Sequence, residues 1–154
     1  MKVVSNSSPL IFLSAIGMLD LLRNEFGEIL IPEAVYDEVT SKELKGSNEV
    51  KHADWIRVVS IKNNKAPSFL PVLDRGEEES IVLAIEQNAD LVLLDDLAGR
   101  RAAMMQGLNV MGTLGFLKVM DRKGRIKNLR DVLDGLQKNG FWMNVDLYRR
   151  MLED

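Results

Sequence analysis

Short apolar runs that each end on a polar residue and open onto a helix-like stretch recur along this chain, and that alternation constrains its fold more than any other feature. Val3-Val4-Ser5 runs into Asn6, and Leu91-Val92-Leu93-Leu94 runs into Asp95-Asp96. Strands alternating with helices imply a parallel sheet with right-handed crossovers. In an open parallel sheet, ligands collect in the crevice beyond the carboxyl ends of the strands, so residues 6 and 95–96 stand where chemistry is expected.

The pattern predicts strands over 2–5, 28–31, 91–94 and 109–111, with an edge strand over 56–61 ahead of a polar, proline-containing loop at 62–71. Leu91 to Leu94 is apolar throughout, as expected of a strand covered on both faces. The first helix is expected to use Ser8 as its cap and Pro9 as its first residue, with Leu10, Ile11, Leu13, Ile16 and Leu19 on its apolar face. Pro32 starts a second helix, which carries Val35 and Val39 and ends near Gly46. Further helices are expected from Asp74 through the apolar stretch Ile81 to Ile85, over 97–106, and from Thr113 to Met120. Beyond Gly124 the strand signal stops. Leu129, Val132, Leu133 and Leu136 share one face, Gly140 ends it, and Asn144 or Asp146 starts a last helix. The expectation is therefore a single domain over 1–154, an α/β core at 1–123 carrying a helical extension at 124–154.

The chain has no cysteine, which excludes thiol catalysis, cysteine-ligated zinc and disulfides. Such a chain is compatible with a reducing cytosol, and the absence of a signal-like leader or a long uncharged run points to a cytoplasmic protein with no membrane segment. Net charge is −3, yet residues 100–130 hold eight bases against one acid and carry +7, leaving −10 for the rest. This asymmetry suits a protein that grips a cation in one place and a polyanion beside it.

Asn6, Glu38, Glu77 and Asp95, with Asp96 adjacent, are the candidate ligands of a hard divalent cation, for which oxygen donors are the right chemistry. Asn6 offers an amide oxygen but no charge. Glu38 borders the stripe formed by Val35 and Val39, while Asp37 and Glu33 fall elsewhere. Glu77 competes with a structural reading, because Asp74 and Glu77 have the spacing of a capping box. Of the adjacent aspartates, Asp96 suits the cap of the helix that begins at Leu97, leaving Asp95 free for metal. Ser7, Arg100, Arg101 and Thr113 are candidate substrate contacts, Thr113 also being a plausible cap. Met104, Met105, Met111 and Met120 read as core, His52 as surface, and Trp55, Phe141 and Trp142 as packing residues or base-stacking platforms.

Val-Val-Ser-Asn-Ser-Ser-Pro-Leu-Ile at 3–11 resembles the opening of PIN domains, and Pro-Glu-Ala-Val-Tyr-Asp-Glu-Val at 32–39 resembles their second helix. Asp-Arg-Gly-Glu-Glu-Glu-Ser-Ile-Val-Leu-Ala at 74–84, Leu-Val-Leu-Leu-Asp-Asp at 91–96 and Gly-Thr-Leu-Gly-Phe-Leu at 112–117 follow in the family's order. The similarity is closest to a prokaryotic branch related to VapC-like toxins. It implies a three-layer α/β/α sandwich around a mainly parallel sheet of four to five strands, Mg²⁺- or Mn²⁺-dependent cleavage of RNA, a homodimer and, for toxin members, an antitoxin protein. The family's acidic positions fall on Asn6, Glu38, Glu77 and Asp95. Where the family has aspartate this chain has Asn6, and a second reading follows, a domain weakened in catalysis that binds RNA or protein. A third, a phosphoacceptor switch domain, would need its acidic pair at the end of the first strand, where Asn6 stands.

Overall fold

A computed structural model describes residues 1–41, 46–63 and 73–153. Among them five strands form one sheet: β1 (Val3–Ser5), β2 (Ile29–Ile31), β3 (Ile56–Val58), β4 (Leu91–Leu93) and β5 (Val110–Met111). All neighbours are parallel and the order is β3-β2-β1-β4-β5. The chain thus builds outward from β1 in one direction, then returns to β1's other side with β4, which pairs Val3 with Leu91 and Ser5 with Leu93. The reversal opens a crevice beyond the carboxyl ends of β1 and β4.

Alternation along the strands divides the core in two. Val3, Ile29, Ile31, Leu91 and Leu93 face one layer, and Val4, Leu30, Val92 and Leu94 face the other. The first face is covered by α1 (Ser7–Ala15), α2 (Asp20–Phe26), α3 (Glu33–Thr40), α4 (Ser47–His52), α7 (Thr113–Arg122), α8 (Leu129–Lys138) and α9 (Val145–Met151). The second is covered by α5 (Arg75–Glu86) and α6 (Leu97–Met105). The three-layer α/β/α arrangement is the expected one. Among the described residues no helix is long and apolar enough to cross a membrane.

Several local expectations are corrected. Helix α1 begins at Ser7 with Asn6 in the cap position, so Ser8 is not the cap and Pro9 sits in the third helical place. Proline is tolerated there because the N–H groups of a first turn have no intrahelical partner. The second helix stops at Thr40 rather than near Gly46, and Gly46, with φ +92°, instead precedes α4. Strand β3 ends at Val58, and the loop expected at 62–71 lies outside the described residues from 64 onward. Gly112, not Thr113, caps α7, and Asn144 caps α9 by accepting from the Leu147 N–H at 2.7 Å. Met104 and Met105 are exposed rather than core, because the one buried helical stripe of α6 is carried by Gly99 and Ala103. Phe141 packs edge-on against Phe12 with ring centres 4.9 Å apart, Trp55 is buried, and Trp142 is exposed.

Candidate metal centre

Strand β1 delivers Asn6 and strand β4 delivers Asp95 to the same end of the sheet, tied together by the Asn6 N–H donating to the Leu93 carbonyl at 2.9 Å. Helices α1, α6 and α7 start at this end, so their first-turn N–H groups, which have no partner within the helix, give the crevice a positive fixed field. Carboxylates accumulate where that field favours them.

Asp95 is the most firmly held. Its Oδ1 accepts from the Thr113 N–H at 2.6 Å, and its Oδ2 accepts from the Ser8 hydroxyl and the Thr113 hydroxyl, each at 2.7 Å. The two helix starts therefore fix its rotamer. Gly112 leaves room for this: a Cβ there would stand 3.0 Å from Asp95 Oδ1 and 3.3 Å from Arg100 Nη1. Arg100 thus lies beside Asp95, while Arg101 is exposed on α6. Asp96 caps α6 by accepting from the Gly99 N–H at 2.9 Å, as its position suggests.

A second group of oxygens gathers at Gly76. A Cβ on that glycine would meet Glu38 Oε2 at 3.0 Å, Asn6 Oδ1 at 3.4 Å and Asp74 Oδ1 at 3.5 Å. Glu38 is solvent-exposed, not half-sunk beside Val35 and Val39 as its spacing suggests, although its Oε2 comes near Gly76 at the start of α5. Asn6 Oδ1 is buried and finds no hydrogen-bond partner among the described residues, and the same holds for Ser7 Oγ. An orphaned buried amide oxygen costs on the order of 1–3 kcal/mol. It is offset when a cation or a donor arrives.

Asp74 caps α5 by accepting from the Glu77 N–H at 2.8 Å. The return half of a capping box does not form; the Glu77 carboxyl instead bonds the Asp74 side chain. Burial, then that hydrogen bond, then the charges of Asp74 and Asp96, push the Glu77 carboxyl up to about 8. Its neutral form is thereby favoured well above the ordinary carboxylate range. Burial and the neighbouring Asp74 and Glu79 raise Glu78 as well.

The structure thus brings Asn6 and Glu38 together, places Asp95 with Ser8, Thr113 and Arg100, and sets Glu77 against Asp74 with the charge of Asp96 nearby. It does not gather the carboxylates into one tight cluster. Among the described residues no three Asp, Glu or His side chains stand close enough to hold an ion by themselves. Mg²⁺ keeps several waters and takes only one or two carboxylates directly, so this sparse, all-oxygen set with an orphaned amide fits such a cation. Sequence reasoning passed over Asp74 because capping accounted for it. It also passed over Ser8, whose hydroxyl serves Asp95 instead of the helix end.

The basic segment at 100–130 is less free than its count suggests. Lys118 donates to the carbonyls of Met151 and Glu153, and Lys123 and Arg125 pair with Glu25 at 2.5 and 3.9 Å. His52 lies on the surface with Nδ1 2.8 Å from the Asn48 carbonyl oxygen.

A family model described as a PIN domain matches residues 2–154. No curated protein matches the chain. With that match over nearly the whole length, and a five-stranded parallel sheet whose switch point carries the acidic residues, the chain belongs to the PIN-domain family, whose members are generally nucleases and typically use divalent metals.

Proposed function

We propose that this protein is a metal-dependent endoribonuclease, a phosphodiesterase that uses Mg²⁺ or Mn²⁺ to cut RNA. The observation that carries the reading is the orphaned Asn6 Oδ1 facing the same small space as Glu38 Oε2, at the sheet's switch point and at the same strand-end edge to which β4 delivers Asp95. Asn6, Glu38 and Asp95 would hold the ion, with Glu77, Asp74 and Asp96 shaping the charge around it. A divalent cation there makes a water more acidic and stabilises the oxygen that leaves phosphorus.

The protein's own groups divide the remaining work. Ser8 and Thr113 keep Asp95 from rotating. Arg100 sits close enough to Asp95 to meet a phosphate brought to that carboxylate, and Arg101 extends the basic surface along α6. Ser7 Oγ supplies a hydroxyl aimed into the buried start of α1, where anions are favoured. Burial and the neighbouring Asp74 favour the protonated form of Glu77, and positive charge entering the site opposes it, so binding is expected to release protons.

We further propose that the chain is a VapC-like toxin that acts as a homodimer in the cytoplasm and is held by an antitoxin protein. In support stand the large apolar side chains exposed on α6 and near the C-terminus, Leu97, Met104, Met105, Trp142 and Val145. The weakened-binder reading draws on Asn6, which brings one negative charge fewer to the crevice. Incubating purified protein with structured and unstructured RNA, in EDTA, Mg²⁺ or Mn²⁺, separates the two. Cleavage that needs metal and is lost in Asp95→Asn and Glu38→Gln supports the nuclease, and RNA retention without cleavage under every condition supports the binder.

A further inference from the structure

Glu79 is a buried carboxylate, 8% exposed, that stands apart from the candidate metal ligands. Its Oε1 accepts from the Ala34 N–H at 3.2 Å, and its Oε2 accepts from Arg75 Nε at 2.8 Å. Ala34 lies in the first turn of α3, a helix whose cap position is filled by Pro32 and has no side-chain cap bond. One of that turn's orphan N–H groups is therefore satisfied from another helix. Ala34 and Glu38 are four residues apart and share a face of α3, just as Gly76 and Glu79 share a face of α5. The two helices meet along those faces, with Glu79 on Ala34 at one level and Glu38 over Gly76 at the next.

We infer that Glu79 is a positioning residue that sets the register of α3 on α5 and so fixes where Glu38 presents its carboxylate. This rests on the reading of Glu38 as a metal ligand. The bond to Ala34 is a directional tie between α3 and α5 at the level of α3's first turn, beside the longer-range attraction of Arg75 for Glu33 and Asp37. Without it, the Glu38 oxygen is free to drift from its place 3.0 Å from the Gly76 Cβ point. Partners that orient metal ligands are typically worth about 10–100-fold in metal affinity.

The test is Mn²⁺ affinity, measured by electron paramagnetic resonance on protein whose folding is verified by circular dichroism, for the parent and for Glu79→Asp, Glu79→Gln and Glu38→Gln. Aspartate keeps the charge but withdraws the carboxylate by one methylene, breaking the Ala34 bond. Glutamine keeps an oxygen at the same reach. The expected result is Mn²⁺ binding weakened about tenfold or more in Glu79→Asp, with parent-like affinity in Glu79→Gln. Parent affinity in Glu79→Asp, or equal losses in both variants, overturns the inference while leaving the metal site standing. Unchanged affinity in Glu38→Gln overturns the ligand reading and this inference with it.

Discussion

Replacing Asn6 with aspartate adds a charge at a buried point of the crevice, and its consequences can be worked from the oxygens already there. Asn6 Oδ1 shares the Gly76 space with Glu38 Oε2 and Asp74 Oδ1. At separations of about 5 Å and an effective dielectric near 20, each like-charge pair costs about 3 kcal/mol. Two such pairs would exceed what ionisation is worth, so the new carboxyl takes up a proton instead. Its cost is then capped by the free energy of protonation at the ambient pH, about 4 kcal/mol at pH 7 and about 1.5 kcal/mol at pH 5 for a group with an ordinary pKa near 3.9. Exposure of Glu38 and Asp74 to water lowers the figure. Asn6→Asp is therefore expected to lose about 2–4 kcal/mol of stability at pH 7 in EDTA, and less at pH 5. With millimolar Mn²⁺ the order changes: the variant gains more than the parent, because the cation offsets the repulsion that ionisation creates. Urea unfolding followed by circular dichroism, at both pH values and with and without Mn²⁺, reads all four numbers. A variant as stable as the parent in EDTA at pH 7, or one that Mn²⁺ stabilises no more than the parent, refutes the reasoning.

Other perturbations probe the same crevice. Gly76→Ala puts a methyl 3.0 Å from Glu38 Oε2; Mn²⁺ affinity measured by calorimetry should fall about tenfold or more, as expected when a ligand is displaced, while stability is kept or raised because alanine favours a helix by about 1 kcal/mol over glycine. Thr113→Val removes the hydroxyl that Asp95 Oδ2 accepts from; it should cost about 1–2 kcal/mol in urea unfolding and lower metal-dependent RNA cleavage, with Ser8→Ala acting in the same direction. Glu77 gives a pH signature. Its folded pKa of about 8 lies above the ordinary glutamate value, so its stabilising share is complete below the unfolded pKa and is lost as pH rises through 8. Glu77→Gln should flatten the stability-versus-pH curve between about pH 4.5 and 8, and an unchanged curve contradicts the assignment.

The strands were legible because burial on both faces leaves an unmistakable residue pattern: Val3-Val4 and Leu91 to Leu94 face two cores at once. The switch-point residues followed from that, since Asn6 and Asp95 close those runs. Helix α2 was not legible, because Leu19, Leu22 and Phe26 merge with the apolar face of the preceding helix. Met104 and Met105 misled because apolar character alone does not say whether a helix has a neighbour on that side; both are exposed. The position of Glu38 was legible only in part. Its spacing from Val35 marks a stripe border, yet whether that border faces α5 or open solvent depends on a register set by distant residues. Glu79 shows the limit most plainly. One acid among three in the run 77–79, it is set apart by its burial and by contacts that include the Ala34 N–H, 45 residues away in the chain.

Everything proposed for function depends on one divalent cation binding between β1 and β4. Crystals soaked in Mn²⁺ and measured for anomalous scattering test it most directly. The account predicts a peak in the crevice within coordination reach of Asn6 Oδ1, Glu38 and Asp95, directly or through one water. No peak there at saturating Mn²⁺, or a peak held by other residues, contradicts it.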